Sequence, residues 1–292
     1  MDGALTEVGL PIALGIIMFG LGLGLTAADF RRVGQHPKAV VVALSCQLVL
    51  LPAVCFGLVL LFDLPWQLGV GMMLLAASPG GTTANLFSHL FRGDVALNIT
   101  LTAINSIISI GTLPLITNFA IDYFDRSDDV SMPLDEVAKV FLLILVPVGL
   151  GMLVRANKPS FADTMDKPVR IGSAVILAIL VLGILLEERD NVGDYLADVG
   201  LAAALFCAIS LVVGYVVPRA FGVVEDQAIA SSMEIGVHNG TLAIFVAENV
   251  LDSTEIAVPA AVYSLLMFFL AAGWGALISR RLRQPATNTS AT

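Results

Sequence analysis

The sequence predicts an all-α polytopic membrane protein, and three observations carry that expectation. Of the 292 residues, 57% are hydrophobic and only 13% are charged, with a mean hydropathy of +0.90, which is too apolar for an ordinary water-soluble domain. Uncharged runs recur along the whole chain, and most reach the roughly 17 to 25 residues that a helix needs to cross a bilayer. These runs far exceed barrel-strand length and lack period-two alternation, so helices are the expected spanning elements.

In chain order the candidate spans are residues 8–28, 39–62, 64–91, 95–121, 137–154, 171–186, 199–218, 227–247 and 256–279, the fifth and sixth near the short limit. The first follows the acidic lead Met1 to Glu7 with no basic stretch before it, so it is expected to be a span and not a cleaved signal. The second carries one mid-span amide, Gln47, for which packing and function are equally good readings. The third contains Ser78-Pro-Gly-Gly-Thr-Thr-Ala-Asn85, where Pro79 removes an amide donor and Gly80-Gly81 weaken the helix. The fourth places Asn98, Thr102 and Asn105 at helical spacing on one stripe. The eighth contains Glu234-Ile-Gly-Val-His-Asn-Gly-Thr241, a carboxylate and an imidazole beside the helix-breaking pair Asn239-Gly240. A charge in hydrocarbon is costly enough that such a residue is by default a functional-site hypothesis. His89, close to Arg92, reads as interfacial.

Orientation follows from the basic residues. Arg31, Arg32, Lys38, Arg92, Arg155, Lys158, Lys167, Arg170, Arg219, Arg280, Arg281 and Arg283 fall on loops that share one side, 12 of the 15 Lys and Arg. That side is expected to be cytoplasmic, with the amino terminus outside and the carboxyl terminus inside. The opposite loops, as at 122–129 and 187–190, are acidic. Cys46, Cys55 and Cys207 form no disulfide framework. A net charge of −9 argues against a nucleic-acid partner. No zinc motif, nucleophile elbow or second intramembrane carboxylate is present, so an enzyme is not expected. No loop is long enough for a soluble catalytic or regulatory domain, so function is expected within the bilayer.

The third and eighth spans echo each other: Gly81-Thr-Thr-Ala84 aligns with Gly240-Thr-Leu-Ala243. They lie five spans apart and so cross in opposite senses, and paired interruptions in two inverted halves point to a transporter binding site. A broken helix exposes amides at the start of its second half and carbonyls at the end of its first, suiting an anion and a cation respectively. Thr82, Thr83, Asn239, Gly240 and Thr241 sit at the helix starts as candidate substrate contacts. Asn85, Asn98, Thr102, Asn105 and Glu234 supply oxygen of the kind hard cations take, although Asn98 and Asn105 read equally well as glue between helices.

On the runs Gly15-Ile-Ile-Met-Phe-Gly-Leu-Gly22, Ser78 to Asn85, Arg92-Gly-Asp-Val-Ala-Leu97 and Glu234 to Asn239, the chain resembles the bile acid:sodium symporter family over nearly its whole length. The resemblance implies a bacterial or archaeal cell-membrane protein in a nine-helix variant, beginning at the equivalent of the family's second helix. It implies an inverted-repeat fold with core and panel domains and two crossing discontinuous helices. The panel is expected at about 8–62 and 170–218, the core at 64–155 and 225–281, and a disordered tail at 284–292. A first sodium site would use Asn85, Asn98, Thr102 and Glu234, with Ala84 where a serine is usual. A second would use Gln47, Glu234, His238 and backbone near Ile235 and Val237, with His238 where glutamine is usual. Imidazole is a poorer sodium ligand and can be protonated near neutral pH, which puts the second ion in doubt. The function implied is sodium-coupled import of an organic anion by alternating access, by a functional monomer in a lipid bilayer. The alternatives are proton coupling through Glu234 and His238, and an anion sensor that does not transport. The substrate itself is not legible.

Overall fold

The computed structural model describes residues 10–31, 34–124, 134–187 and 192–279. The expected 284–292 tail, Arg32, Arg280, Arg281, Arg283 and most of the two acidic loops lie outside the described residues. Among the described residues the regular structure is helical: α1 (Leu10–Gly24), α2 (Ala27–Arg31), α3 (Pro37–Ser45), a π-helical turn (Cys46–Leu50), α4 (Leu51–Leu61), α5 (Trp66–Ala77), α6 (Thr82–Leu90) and α7 (Val95–Phe124). Then follow α8 (Leu134–Asn157), α9 (Pro159–Glu187), α10 (Val192–Ala220), α11 (Glu225–Gly236), α12 (Gly240–Asn249) and α13 (Thr254–Ser279). Four described helices are long and apolar enough to cross a membrane: Pro37–Leu61, Val95–Phe124, Ala197–Ala220 and Thr254–Ser279.

The expected spans 64–91 and 227–247 are each two short helices, α5 with α6 and α11 with α12. Large apolar side chains such as Leu61, Leu115 and Phe269 face outward, while Glu234, His238, Asn98 and Thr102 are buried. That is the arrangement of a protein whose solvent is hydrocarbon on its flanks.

The first expected span ends early. The Thr26 amide and hydroxyl both donate to Asp29 Oδ2, at 2.7 and 2.6 Å, and the Asp29 amide donates to the Thr26 carbonyl, so the chain turns there and α2 begins. In the second span, the Leu51 amide donates to the Cys46 carbonyl, closing a π turn just before Pro52. A proline cannot continue the regular ladder, and a π bulge is one way to absorb it.

The helices group by contact. α1 lies mainly against α8 and α9, whereas α10 lies against α11 and α13, and α4 against α5. The π turn and α3 also touch α10. The part from α3 to α4 sits with the broken helices, and α8 sits with α1. The reason is steric: a Cβ at Gly22 would strike the Val148 carbonyl, and one at Gly151 would strike the Phe19 carbonyl. Glycines on both partners let the backbones of α1 and α8 approach closely, the usual basis of helix association in lipid.

Candidate ion and substrate site at the crossed helix breaks

The two breaks meet. Gly80 and His238 form an antiparallel bridge, in which the Gly81 amide donates to the Val237 carbonyl at 3.1 Å and the Asn239 amide donates to the Pro79 carbonyl at 2.8 Å. Pro79-Gly80-Gly81 and Val237-His238-Asn239 thus satisfy each other's backbone at buried positions, which is what permits irregular chain inside the protein. α5 and α11 end at the crossing, and α6 and α12 start from it.

Glu234, on the last turn of α11, joins three segments. Its Oε1 accepts the Gly80 amide at 3.2 Å, and its Oε2 accepts the Thr102 hydroxyl from α7 at 2.5 Å. The Thr102 oxygen is also 3.0 Å from the Asn98 carbonyl. A hydroxyl has one proton to give, so Thr102 can serve only one of these two acceptors at a time. A Cβ added at Gly80 would fall on the Glu234 carboxyl group. Glycine is needed at that position because the backbone has to approach the acid.

Two side chains on the helices beside α11 carry a buried oxygen without a partner. Asn98 Nδ2 donates to the Ala230 carbonyl at 2.7 Å, which turns its Oδ1 away from a protein donor; that oxygen is buried and unbonded. Asn85 Oδ1 is also buried and unbonded, on α6, which packs against α7 and α11. Leaving such oxygens unpaired costs about 1–3 kcal/mol each, and a bound hard cation is the group that relieves acceptors with no donor nearby. Asn98, Thr102 and Glu234 are therefore brought together, with Asn85 on the adjoining helix.

The second expected group centres on the Ser78 carbonyl. Gln47 Nε2 donates to it at 3.2 Å, and His238 Nδ1 lies 3.2 Å from it and 3.5 Å from Gln47 Nε2. Only an Nδ1–H tautomer fits an acceptor at that distance, so the imidazole donates through Nδ1. His238 Nε2 and Gln47 Oε1 are then buried without partners. The ring is held by Phe206, stacked at 5.6 Å between centroids, and by the edge of Tyr263 at 5.4 Å. Ile235 and Val237 are buried, and the Val237 carbonyl already accepts the Gly81 amide.

At the helix starts, Asn239 Oδ1 accepts the Leu242 amide at 3.1 Å and caps α12. Its carboxamide hydrogens are what remains for a substrate. Thr241 is buried and Thr83 half-buried; the Thr82 side chain lies outside the described residues, though Thr82 does begin α6. A Cβ at Gly240 would strike the Ser264 hydroxyl, which has no hydrogen-bond partner.

Sequence reasoning missed the acceptors and the frame. The Ser78 and Ala230 carbonyls belong to residues with no distinguishing side-chain signal. Tyr263, which donates to the Gly236 carbonyl at 2.9 Å, stands next to Ser264 in the middle of the ninth span, and this pair of hydroxyls in an apolar run was the available clue.

Comparison with known proteins bears directly on this geometry. A profile of the sodium bile acid symporter family matches residues 11–195. The chain belongs to that family. It is 27% identical over 259 residues to an uncharacterised sodium-dependent transporter, YocS, of Bacillus subtilis, covering 88% of this chain and 78% of that one. It is 26% identical over 267 residues to the probable sodium/metabolite cotransporter BASS1 of Arabidopsis thaliana, covering 90% of this chain and 66% of that one. To the human ileal sodium/bile acid cotransporter it is 25% identical over 236 residues, covering 80% of this chain and 67% of that one. Sodium bile acid symporter family membership agrees with the helical, membrane-embedded architecture.

Proposed function

We propose that this protein is a sodium-coupled symporter of an organic anion that works by alternating access in the cell membrane, as a monomer with its amino terminus outside. The observation that carries the reading is Glu234: one carboxylate joined to the Gly80 amide and the Thr102 hydroxyl, beside the unbonded buried oxygens of Asn85 and Asn98. Four oxygen-bearing side chains from three helices form the cation site, and two of them, Asn85 and Asn98, carry an oxygen that no protein donor serves. The starts of α6 and α12 face the crossing with Thr82, Thr83, Asn239, Gly240 and Thr241, and helix N-termini favour an anion there. Sodium bound at Glu234 would neutralise charge at the crossing and favour the anion beside it, which is how the two cargoes become coupled. The relatives' own descriptions, a sodium/metabolite and a sodium/bile acid cotransporter, support the cargo classes.

A second site at Gln47, Glu234, Ile235, Val237 and His238 is part of the proposal, and it could take either a sodium ion or a proton. His238 Nε2 is buried without a partner, a lone pair that a proton or a weakly held sodium would both satisfy.

The test is uptake into proteoliposomes with sodium and proton gradients imposed separately, using a panel of bile acids, steroid conjugates, pantoate-like acids and keto acids. Wild type is expected to accumulate one of these under an inward sodium gradient, and Glu234→Gln to fold and lose that uptake. Sodium-driven uptake by Glu234→Gln at the wild-type rate would falsify the ligand assignment. Saturable anion binding with no counterflow would identify a sensor instead.

A further inference from the structure

We propose that Asn105 is a further sodium ligand, holding the ion on α7 next to the carbonyl end of α11, beyond the Glu234 site. This rests on the sodium reading above. Asn105 is 1% exposed, and both its Oδ1 and its Nδ2 lack any hydrogen-bond partner. An asparagine that merely tied helices together would donate to a neighbouring carbonyl, as Asn98 does to Ala230. Asn105 makes no such bond, and a buried carboxamide is costly to leave empty.

Its position follows from two contacts. Asn98 bonds to Ala230 and Thr102 bonds to Glu234, both at a sequence offset of 132. α7 and α11 therefore run side by side in one direction and in step. The same offset sets Asn105 (105 + 132 = 237) level with Val237, where α11 has just ended. Spacings of four and three keep Asn98, Thr102 and Asn105 on the face turned to α11.

The chemistry at that level is the carbonyl end of a helix, which carries partial negative charge. Among the last carbonyls of α11, Met233 accepts the Val237 amide and Gly236 accepts Tyr263. The carbonyls of Glu234 and Ile235 are engaged by neither. An unbonded amide oxygen beside a helix carboxyl end is the donor set of a hard cation and not of an anion. Asn105 thus extends the oxygen-bearing face of α7 one turn past Thr102, so that the ion has a second resting place on the same face.

The experiment is thermal unfolding of the purified full chain in detergent, with sodium chloride titrated against choline chloride at constant ionic strength, so that no substrate need be known. Sodium is expected to raise the wild-type midpoint, because a ligand of the folded state stabilises it. Glu234→Gln should abolish the shift. Asn105→Leu should need about ten-fold more sodium for half the shift, and Asn105→Asp, which restores the oxygen, should return to the wild-type range or below. The opposite pattern overturns the assignment: Asn105→Leu titrating like wild type, and Asn105→Asp losing stability without gaining sodium affinity, as a buried packing residue would. Should Asn105→Leu fail to fold, Asn105→Ala against Asn105→Asp reads the same difference. If the wild type ignores sodium, the sodium reading itself falls; if it responds and only Asn105→Leu matches it, Asn105 alone is removed.

Discussion

The amide of Gly80 and the carboxylate of Glu234 meet at 3.2 Å across the helix crossing, and the space a Cβ would need at Gly80 is filled by that carboxylate. Gly80→Ala therefore has to displace the acid or bend the Pro79–Gly81 strand. The expected result is a loss of about 1–3 kcal/mol, the range for overpacking, together with weaker sodium stabilisation. Unfolding midpoints with and without sodium measure both. A Gly80→Ala protein with wild-type sodium response would show that the acid does not need its present place.

His238→Gln isolates what the imidazole does. A glutamine keeps an N–H donor for the Ser78 carbonyl and offers oxygen where His238 Nε2 is unbonded. Sodium affinity is expected to rise and any proton-driven component of uptake to fall. Flux under separate gradients at two pH values decides; a variant indistinguishable from wild type in both would remove His238 from the coupling scheme.

Gly240 and Ser264 form a testable pair. Gly240→Ala forces the Ser264 hydroxyl to swing aside, and Ser264→Ala clears that space at little cost, since the hydroxyl is unbonded. The double variant should recover at least about 0.5 kcal/mol relative to additivity, as residues in contact do. A double-mutant cycle by denaturation measures it, and strict additivity would rule the contact out.

Tyr263→Phe keeps the ring against His238 and Phe206 and removes the hydroxyl that serves the Gly236 carbonyl. Burying that carbonyl with one bond fewer is expected to cost about 1–2 kcal/mol. Because Gly236 ends α11, the loss should also loosen the break, visible as faster hydrogen exchange at 236–240 and unchanged exchange in α1.

Much of this arrangement was legible in the residues. Proline, paired glycines and Asn-Gly within membrane-length runs located both breaks, and an uncompensated Glu234 marked the site, because each violates what a membrane helix ordinarily tolerates. The pairing of Gly80 with His238 was not legible, since backbone bonds carry no residue signature. Gln47 stood undecided until the π turn before Pro52 showed it donating to Ser78. The contact of α8 with α1 was not legible either, because it depends on Gly22 facing Gly151, a meeting of distant segments that no single span reveals.

The small ladder between 79–81 and 237–239 has a mechanical corollary. Its bonds join buried residues, so drawing the two breaks apart would leave two amides and two carbonyls to find other partners. The crossing behaves as a welded joint and not a hinge. In the alternating-access cycle proposed above, the two broken helices would therefore travel together as one unit, each carrying the other's polar backbone with it.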